Sequence, residues 1–400
     1  MSVPFTILFI TSEFKGVVAI QEAKRQGCRT YLLAHQKDQH AEWPREALDE
    51  VFFMPNLLHL REVINAVSYL ARARAIDFIF PLDDFEVVTA AELREHFRMP
   101  GLPVSVAKHF RDKLAMRQVA RDGGIPVPDF SGIFNHERLH HFMQTTPGPW
   151  LLKPRGEASS AGIQKIYQPD ELWPALEALG DDQSFFLLEK YLPGDVFHVD
   201  SLVDEGEVIF SVASQYGRPP LDVYHSGGVF YTRAMDRAAP ETQALLEFNR
   251  ELLRVLGLPR GATHAEFIRA QADGQYYFLE CAARVGGANI SDAIEYGTGV
   301  NLWAEWVKLE LAHLHRQEYF LPEMREGYFA VMNCLAQQEW PDLSGYNEPE
   351  VAWKLAKKHH AGLILTTPSA ERLTQLIDDY TARFSRDFLA VLPARHTLRE

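Results

Sequence analysis

Two glutamates have the type and spacing of metal ligands. Glu266 lies in the strand-like run 263–269 and Glu280 in the run 275–282, and the intervening Ala270-Gln271-Ala272-Asp273-Gly274 carries an Asp-Gly turn signal. Register decides what the pair can do. A loop of Ala272-Asp273-Gly274, with Gly274 left-handed, sets Glu266 directly opposite Glu280 on one face; a loop of Asp273-Gly274 alone turns them to opposite faces. Facing carboxylates repel unless something neutralises them. A hard cation does so, and magnesium often bridges carboxylates to phosphates. The competing reading leaves one glutamate in solvent and gives the pair no function.

Other constellations are weaker or absent. Residues 215–233, with Arg218, His225, Gly227-Gly228 and Arg233, form a basic, turn-rich segment in an acidic protein. The segment reads as a substrate-side loop, against the alternative of surface arginines paired with nearby acids. His140-His141, His313 with His315, and His359-His360 are one or two residues apart, so they share no helix face and make no zinc site. No GxSxG elbow, no GxGxxG after the first strand-like run and no Gly-Lys pair occur, which removes a serine hydrolase, a dinucleotide fingerprint and a P-loop. Cys28, Cys281 and Cys334 are far apart and form no CxxC, as expected of a reducing cytoplasm. The net charge of -14, from 40 basic and 54 acidic residues, argues against a general nucleic-acid binder while allowing a local basic pocket. No apolar run approaches the roughly 20 residues of a membrane span, and the N-terminus lacks a signal-peptide pattern.

Positioning these groups requires several elements. The chain of 400 residues, 46% hydrophobic and 24% charged, is expected to form a globular protein of two or three domains. Strands at 5–10, 30–34, 50–54 and 77–81 alternate with helices at 16–26 and 60–74, a βαβ pattern that implies a parallel, Rossmann-like sheet over residues 1–105. A helix at 106–121 follows. Residues 127–190 read as a small α/β unit, with strands at 150–153 and 185–189 and a helix at 171–179. Long strands and a helix at 242–256 fill the stretch to residue 310, and residues 311–400 read as a C-terminal subdomain folding back on the body.

Taken in order, the motifs resemble an ATP-grasp enzyme. They are Asp112-Lys113 before Gly124-Ile125-Pro126-Val127-Pro128, then Leu152-Lys153-Pro154, Ser159-Ser160-Ala161-Gly162, Glu189-Lys190-Tyr191-Leu192-Pro193-Gly194, and Glu266 followed by Glu280-Cys281-Ala282-Ala283-Arg284-Val285-Gly286-Gly287. The nearest flavour is the biotin-carboxylase-like and amino-acid-ligase branch. The resemblance implies an α/β and α+β multidomain fold. A pre-ATP-grasp domain (1–105) precedes an ATP-grasp domain (106–310) that carries a lid at about 127–190.

It also implies roles. Lys113 and Lys153 bind ATP phosphates, under a flap at 156–162 with Ser159, Ser160 and Gly162. Glu189, by its side chain or a nearby carbonyl, and Lys190, Tyr191 and Leu192 hold adenine. Asp195 stands beside Val196, where relatives have an acidic ribose contact, and His198 with Asp200 either faces the site or is a satisfied structural histidine. Glu266 and Glu280 bind Mg2+, with Mn2+ as the substitute, and Ala282 replaces a customary asparagine ligand. Arg284 stabilises an acyl phosphate or clamps a carboxylate, with Gly286-Gly287 letting substrate approach.

The resemblance implies a cytoplasmic, dimeric carboxylate–amine ligase acting on small molecules such as amino acids, with no nucleic-acid or membrane partner. A carboxyphosphate-type carboxylase is the first rival, weakened because no Met-Lys-Met biotin-attachment segment occurs. A non-catalytic ATP-binding regulator is the second.

Overall fold

A computed structural model describes residues 4–158 and 160–391, apart from the side chains of Tyr224 and His225. The first sheet has four parallel strands, β1 (Thr6–Thr11), β2 (Arg29–His35), β3 (Glu50–Met54) and β4 (Phe78–Pro81), in the order β3-β2-β1-β4. All six residues of β1 are buried, as a central parallel strand covered on both faces requires. Helices α1 (Val17–Arg25), α2 (Leu60–Ala71) and α3 (Glu86–His96) accompany the sheet. The expected strands and first two helices are present. The third helix has no apolar stripe to announce it: Glu86, Val87, Ala90, Ala91, Leu93 and Arg94 are buried around its circumference.

The single helix expected at 106–121 is broken. It divides into α4 (Val104–Ala107) and α5 (Lys113–Asp122), and Asp112 caps α5 by accepting from the backbone N–H groups of Leu114 at 3.0 Å and Ala115 at 3.4 Å. Lys113 is thereby fixed in the first turn of α5.

A small antiparallel sheet follows, in the order β5-β8-β6-β7, from β5 (Phe130–Gly132), β6 (Trp150–Pro154), β7 (Gln164–Ile166) and β8 (Phe186–Lys190). With α6 (His136–Thr145) and α7 (Pro169–Leu179) it encloses a core of its own around Leu139, Trp150, Leu152, Leu172 and Leu188.

The largest sheet has eight strands: β9 (Gly194–Asp204), β10 (Glu207–Tyr216), β11 (Phe230–Ala234), β12 (Gly261–Ala270), β13 (Tyr276–Ala282), β14 (Tyr328–Leu335), β15 (Val351–Lys354) and β16 (His360–Thr367). Their order is β13-β12-β9-β10-β11-β14-β16-β15, so the strands after residue 310 extend the same sheet through the β11–β14 pair. Among the described residues, five helices complete the fold: α8 (Pro220–Ser226), α9 (Pro240–Leu256), α10 (Ile290–Thr298), α11 (Leu302–Leu314) and α12 (Ala370–Asp387).

Side-chain alternation gives the large sheet two faces. Val196 and Leu202 of β9 point to a front layer shared with the first sheet and with α10 and α11, while Phe197, Val199 and Val203 point to a back layer shared with α5 and α9.

Candidate active site

The two glutamates meet, by a route other than the expected one. The turn is Gln271-Ala272-Asp273-Gly274, closed by Ala270 N–H to the Gln275 carbonyl and Gly274 N–H to the Ala270 carbonyl, both at 2.9 Å, with Gly274 left-handed at φ 70°. This register pairs Arg269 with Tyr276, Ile268 with Tyr277 and Phe267 with Phe278. Continued regularly, it would set Glu266 against Leu279 and send Glu280 to the back layer. A β-bulge adds one residue, Leu279, and restores Glu266 opposite Glu280. Leu279 and Glu280, though consecutive, both line the front cleft.

Cations are arranged around this pair. Lys113 Nζ lies 3.0 Å from Glu280 and 2.5 Å from the Glu157 carbonyl. Burial alone would raise the Glu280 carboxyl, but Lys113, helped by Lys153 and Arg117, holds it down to about 2. Tyr216 donates its hydroxyl to Glu266 at 2.8 Å. The two opposed, oxygen-rich side chains fit a hard divalent cation, which would relieve their mutual repulsion.

Lys153, on β6, and Arg117, on α5, share one buried carboxylate. Lys153 Nζ bonds Glu189 Oε1, and Arg117 Nε bonds Glu189 Oε2 at 2.5 Å. Burial pushes the Lys153 ammonium down, with Glu189 pulling the other way. Burial likewise pushes Glu189 up, but Arg117 and Lys153 outweigh it and hold the carboxyl below its usual range. Both Glu189 oxygens are thus engaged by cations, which favours the other expected acceptor for adenine, a nearby carbonyl; the backbone N–H groups of Lys190 and Tyr191 are already donated, to the carbonyls of Asp129 at 2.8 Å and Pro149 at 2.9 Å. Arg117 was absent from the expected site. Its signal is position: it follows Lys113 by four residues and so shares a face of α5.

The cleft between the small and large sheets opens to solvent and encloses a volume of about 100 Å³. Apolar walls come from Leu151, Ile163, Leu192, Val196, Ile268 and Leu279, and charged ones from Lys113, Lys153, Lys190, Glu266 and Glu280. Ser160 lines it beside Ala161, and Gly162 follows at φ 70°. Ser159 lies outside the described residues. Tyr191 also lines the cleft and carries Lys165 Nζ over its ring, 3.6 Å from the centroid. An elongated ligand with an apolar ring and a polyanionic tail matches these walls.

Behind Glu266 runs a buried polar chain. Asp200 accepts His198 Nδ1 at 2.7 Å and His264 Nδ1 at 2.9 Å, and His198 Nε2 meets Thr232 Oγ1 at 2.7 Å. His264 Nε2 lies 3.3 Å from the Tyr216 hydroxyl and 3.6 Å from Glu266. Burial opposes charge on His264, but Asp200 and Glu266 raise it to about 9. His198 is fully buried with both ring nitrogens engaged, so it is a structural histidine, not a nucleotide contact. His264, Tyr216 and Thr232 were missing from the sequence reading because three different strands bring them together.

Three other expectations need correction. Asp195 alternates to the opposite face from Val196 and lies 3.5 Å from Arg269, away from the cleft. Arg233 points to the face opposite Thr232 and reaches Thr374 of α12 at 3.1 Å. Arg218 is taken up within its own loop, by Ser226 Oγ at 2.8 Å and the Gly227 carbonyl at 3.2 Å, while Pro219, Pro220, Leu221 and Asp222 line the cleft. The side chain of His225 lies outside the described residues.

Arg284 donates to the Val285 carbonyl at 2.8 Å, and its Nε is buried with no hydrogen-bond partner among the described residues. Gly286 is required by packing: a Cβ there would stand 2.6 Å from Asp200 Oδ1, whereas one at Gly287 would meet nothing within 4 Å.

Residues 146–292 match the family model described as ATP-grasp domain. The L-arginine-specific L-amino acid ligase of Bacillus subtilis is 24% identical over 320 residues, 76% of each chain. The alanine–anticapsin ligase of Bacillus subtilis is 22% identical over 265 residues, and there the chain spans only 55% of the relative's length. The crystal structure of an L-amino acid ligase from Bacillus licheniformis superposes with a TM-score of 0.78 at 17% identity, covering 98% of this chain and 99% of that one.

Proposed function

We propose that this chain, which carries an ATP-grasp domain, is an ATP-dependent carboxylate–amine ligase. The observation that carries the proposal is the facing pair Glu266 and Glu280 on the wall of a cleft that also presents Lys113 and Lys153. In this reading Lys113 and Lys153 bind phosphates, the backbone from Lys190 to Leu192 meets the adenine edge, and Ser160 and Gly162 belong to the flap. Glu266 and Glu280 hold magnesium, or manganese in its place. When bound, the metal shields phosphate charge during transfer. Arg284, with an uncommitted buried Nε, receives the substrate carboxylate and then the acyl phosphate.

A carboxylate oxygen attacks the γ-phosphorus of ATP, and ADP leaves. The amine nitrogen then attacks the acyl carbon, a proton is lost, and phosphate departs to leave an amide. Amino acids are the substrate class that the named relatives favour. The domain division into 1–105, 106–310 and 311–400, with the lid at about 127–190, belongs to the same proposal.

The test is phosphate release from ATP, magnesium and a panel of amino acids, alone and in pairs. Release that depends on an amino acid, with an amide product, is expected. Failure to bind ATP together with no release from any pair overturns the proposal. ATP binding without turnover would support a regulator, and a bicarbonate requirement would support a carboxyphosphate route.

A further inference from the structure

A second cavity lies where α3, α11, the turn after β9 and the start of β12 come together, and it shares no lining residue with the cleft described above. It opens to solvent and encloses about 290 Å³. One water needs only about 10–15 Å³ by the same kind of measure, so the space is that of a small molecule. Glu205 and His313 stand exposed at its rim. Arg94 and Glu310 line it from within, at 5% and 9% exposure.

Arg94 is held on one edge only. Its Nη1 donates to the Ile79 carbonyl at 3.0 Å, and the guanidinium stands 5.5 Å from the centre of the Phe78 ring. Its Nε is buried with no hydrogen-bond partner among the described residues. Gly101 keeps side-chain atoms off that edge, since a Cβ there would stand 2.8 Å from Nε. Glu310 attracts Arg94, but among the described residues the two form no ion pair; Glu310 accepts the Trp306 indole N–H at 3.1 Å instead. The other guanidinium on the wall, Arg260, is taken by Asp204 at 2.9 Å.

Buried charges are normally paired. Here a cation and an acid line one cavity without meeting. Burial pushes Arg94 down to about 10 and Glu310 up, as expected of charges that each lack a full partner. A simple ion cannot serve both: an anion suits Arg94 and is repelled by Glu310, and a cation does the opposite. A zwitterion serves both. Its carboxylate can take two parallel N–H bonds from a guanidinium, and its ammonium can donate to a carboxylate. Much of the remaining wall is apolar, from Pro81, Val87, Leu102, Leu258 and Trp306.

We infer that this cavity binds a free α-amino acid with an apolar side chain, its carboxylate on Arg94 and its ammonium on Glu310. The site is separate from the cleft, and the inference does not rest on the ligase reading. Ala262, in β12, and Ala283, just past β13, belong to its wall, so a bound amino acid touches the ends of the hairpin that carries Glu266 and Glu280.

The experiment titrates the full chain, free of nucleotide, with L-leucine, 4-methylpentanoate and 3-methylbutylamine by calorimetry. The last two compounds each keep one of the two charges of leucine. Leucine is expected to bind about tenfold or more tighter than either, because each lacks one charged hydrogen-bonding group. That gain should vanish in Arg94→Met and Glu310→Gln. It should also vanish in Leu102→Trp, which fills the cavity and leaves both charges in place. A diazirine analogue of leucine, activated by light, should label residues within 81–102, 258–262 or 306–313. If Arg94→Met fails to fold, Glu310→Gln and Leu102→Trp decide. No binding of leucine, equal binding of the three compounds, survival of the gain in Glu310→Gln or Leu102→Trp, or labelling confined to the cleft overturns the inference. Labelling confined to the cleft would leave the ligase reading standing, whereas labelling here with no turnover of any amino acid would separate this site from that reading.

Discussion

Glu189→Gln should loosen the attachment of the small sheet to α5. Glu189 sits on β8, Lys153 on the adjacent β6, and Arg117 on α5 outside that sheet, with the Arg117 and Glu189 side chains each 1% exposed. Removing one partner of a buried pair costs about 3–5 kcal/mol, because the other charge is left in low dielectric. Here two cations lose one shared anion, and glutamine returns a single neutral acceptor. A loss of about 4 kcal/mol follows from that range. It is a large share of the roughly 5–15 kcal/mol that keeps a domain folded.

Urea unfolding and hydrogen exchange at the β8 amides would measure the loss. Combining Glu189→Gln with Arg117→Met should recover part of it, since the stranded guanidinium is then gone. The pH dependence has a definite sign. Glu189 titrates below its usual value in the folded chain, so its contribution is complete above the unfolded carboxyl pKa and fades as pH falls through the lower folded one. The variant should lack that acid-side slope. A cost below about 1 kcal/mol, typical of a surface pair, with unchanged β8 exchange, would refute the reasoning.

Further outcomes follow from the same geometry. Lys153→Ala should lower the rate of phosphate release by about 10²–10³, the usual effect of removing one fixed transition-state donor; an unchanged rate would remove Lys153 from the site. Glu280→Gln should weaken metal affinity, read as a higher magnesium concentration for half-maximal activity, while nucleotide binding without metal persists. His198→Ala should cost about 1–3 kcal/mol of stability by stranding Asp200 and Thr232, with ATP affinity unchanged; a selective loss of ATP affinity would restore His198 to the site.

Much of the architecture could be read from the chain because each element kept a simple period. β1, β2 and β4 are short apolar runs between helices, and α5 ends in Gly123-Gly124. The unread elements break that rule. In α11, Leu302, Glu305, Trp306, Val307, Leu309, Glu310 and Leu311 are all buried, so no stripe survives. In the cleft wall, residues carried by one hairpin or one short motif could be placed together from the chain: Glu266, Glu280, Lys113, Lys153. Groups assembled from separate strands could not. Nothing near Asp200 in the chain announces His264 or Tyr216, because cross-strand register creates the contact. Asp195 and Arg233 failed for the converse reason: strand alternation turned an attractive side chain to the wrong face.

Strict alternation would also have limited β13 to one cleft-facing residue in every two. The extra residue at Leu279 lets a single strand present an apolar surface and an acid side by side, without an added segment of chain. It also separates two kinds of sequence change. Deleting Leu279 would leave a regular hairpin in which Glu266 still meets Glu280, so the acids survive while one apolar wall is lost. Inserting a residue after Leu279 would, in a regular register, keep leucine at the wall opposite Glu266 and shift Glu280 along β13 to face His264, parting the two acids. The apolar and acidic halves of the wall can therefore diverge independently at one position.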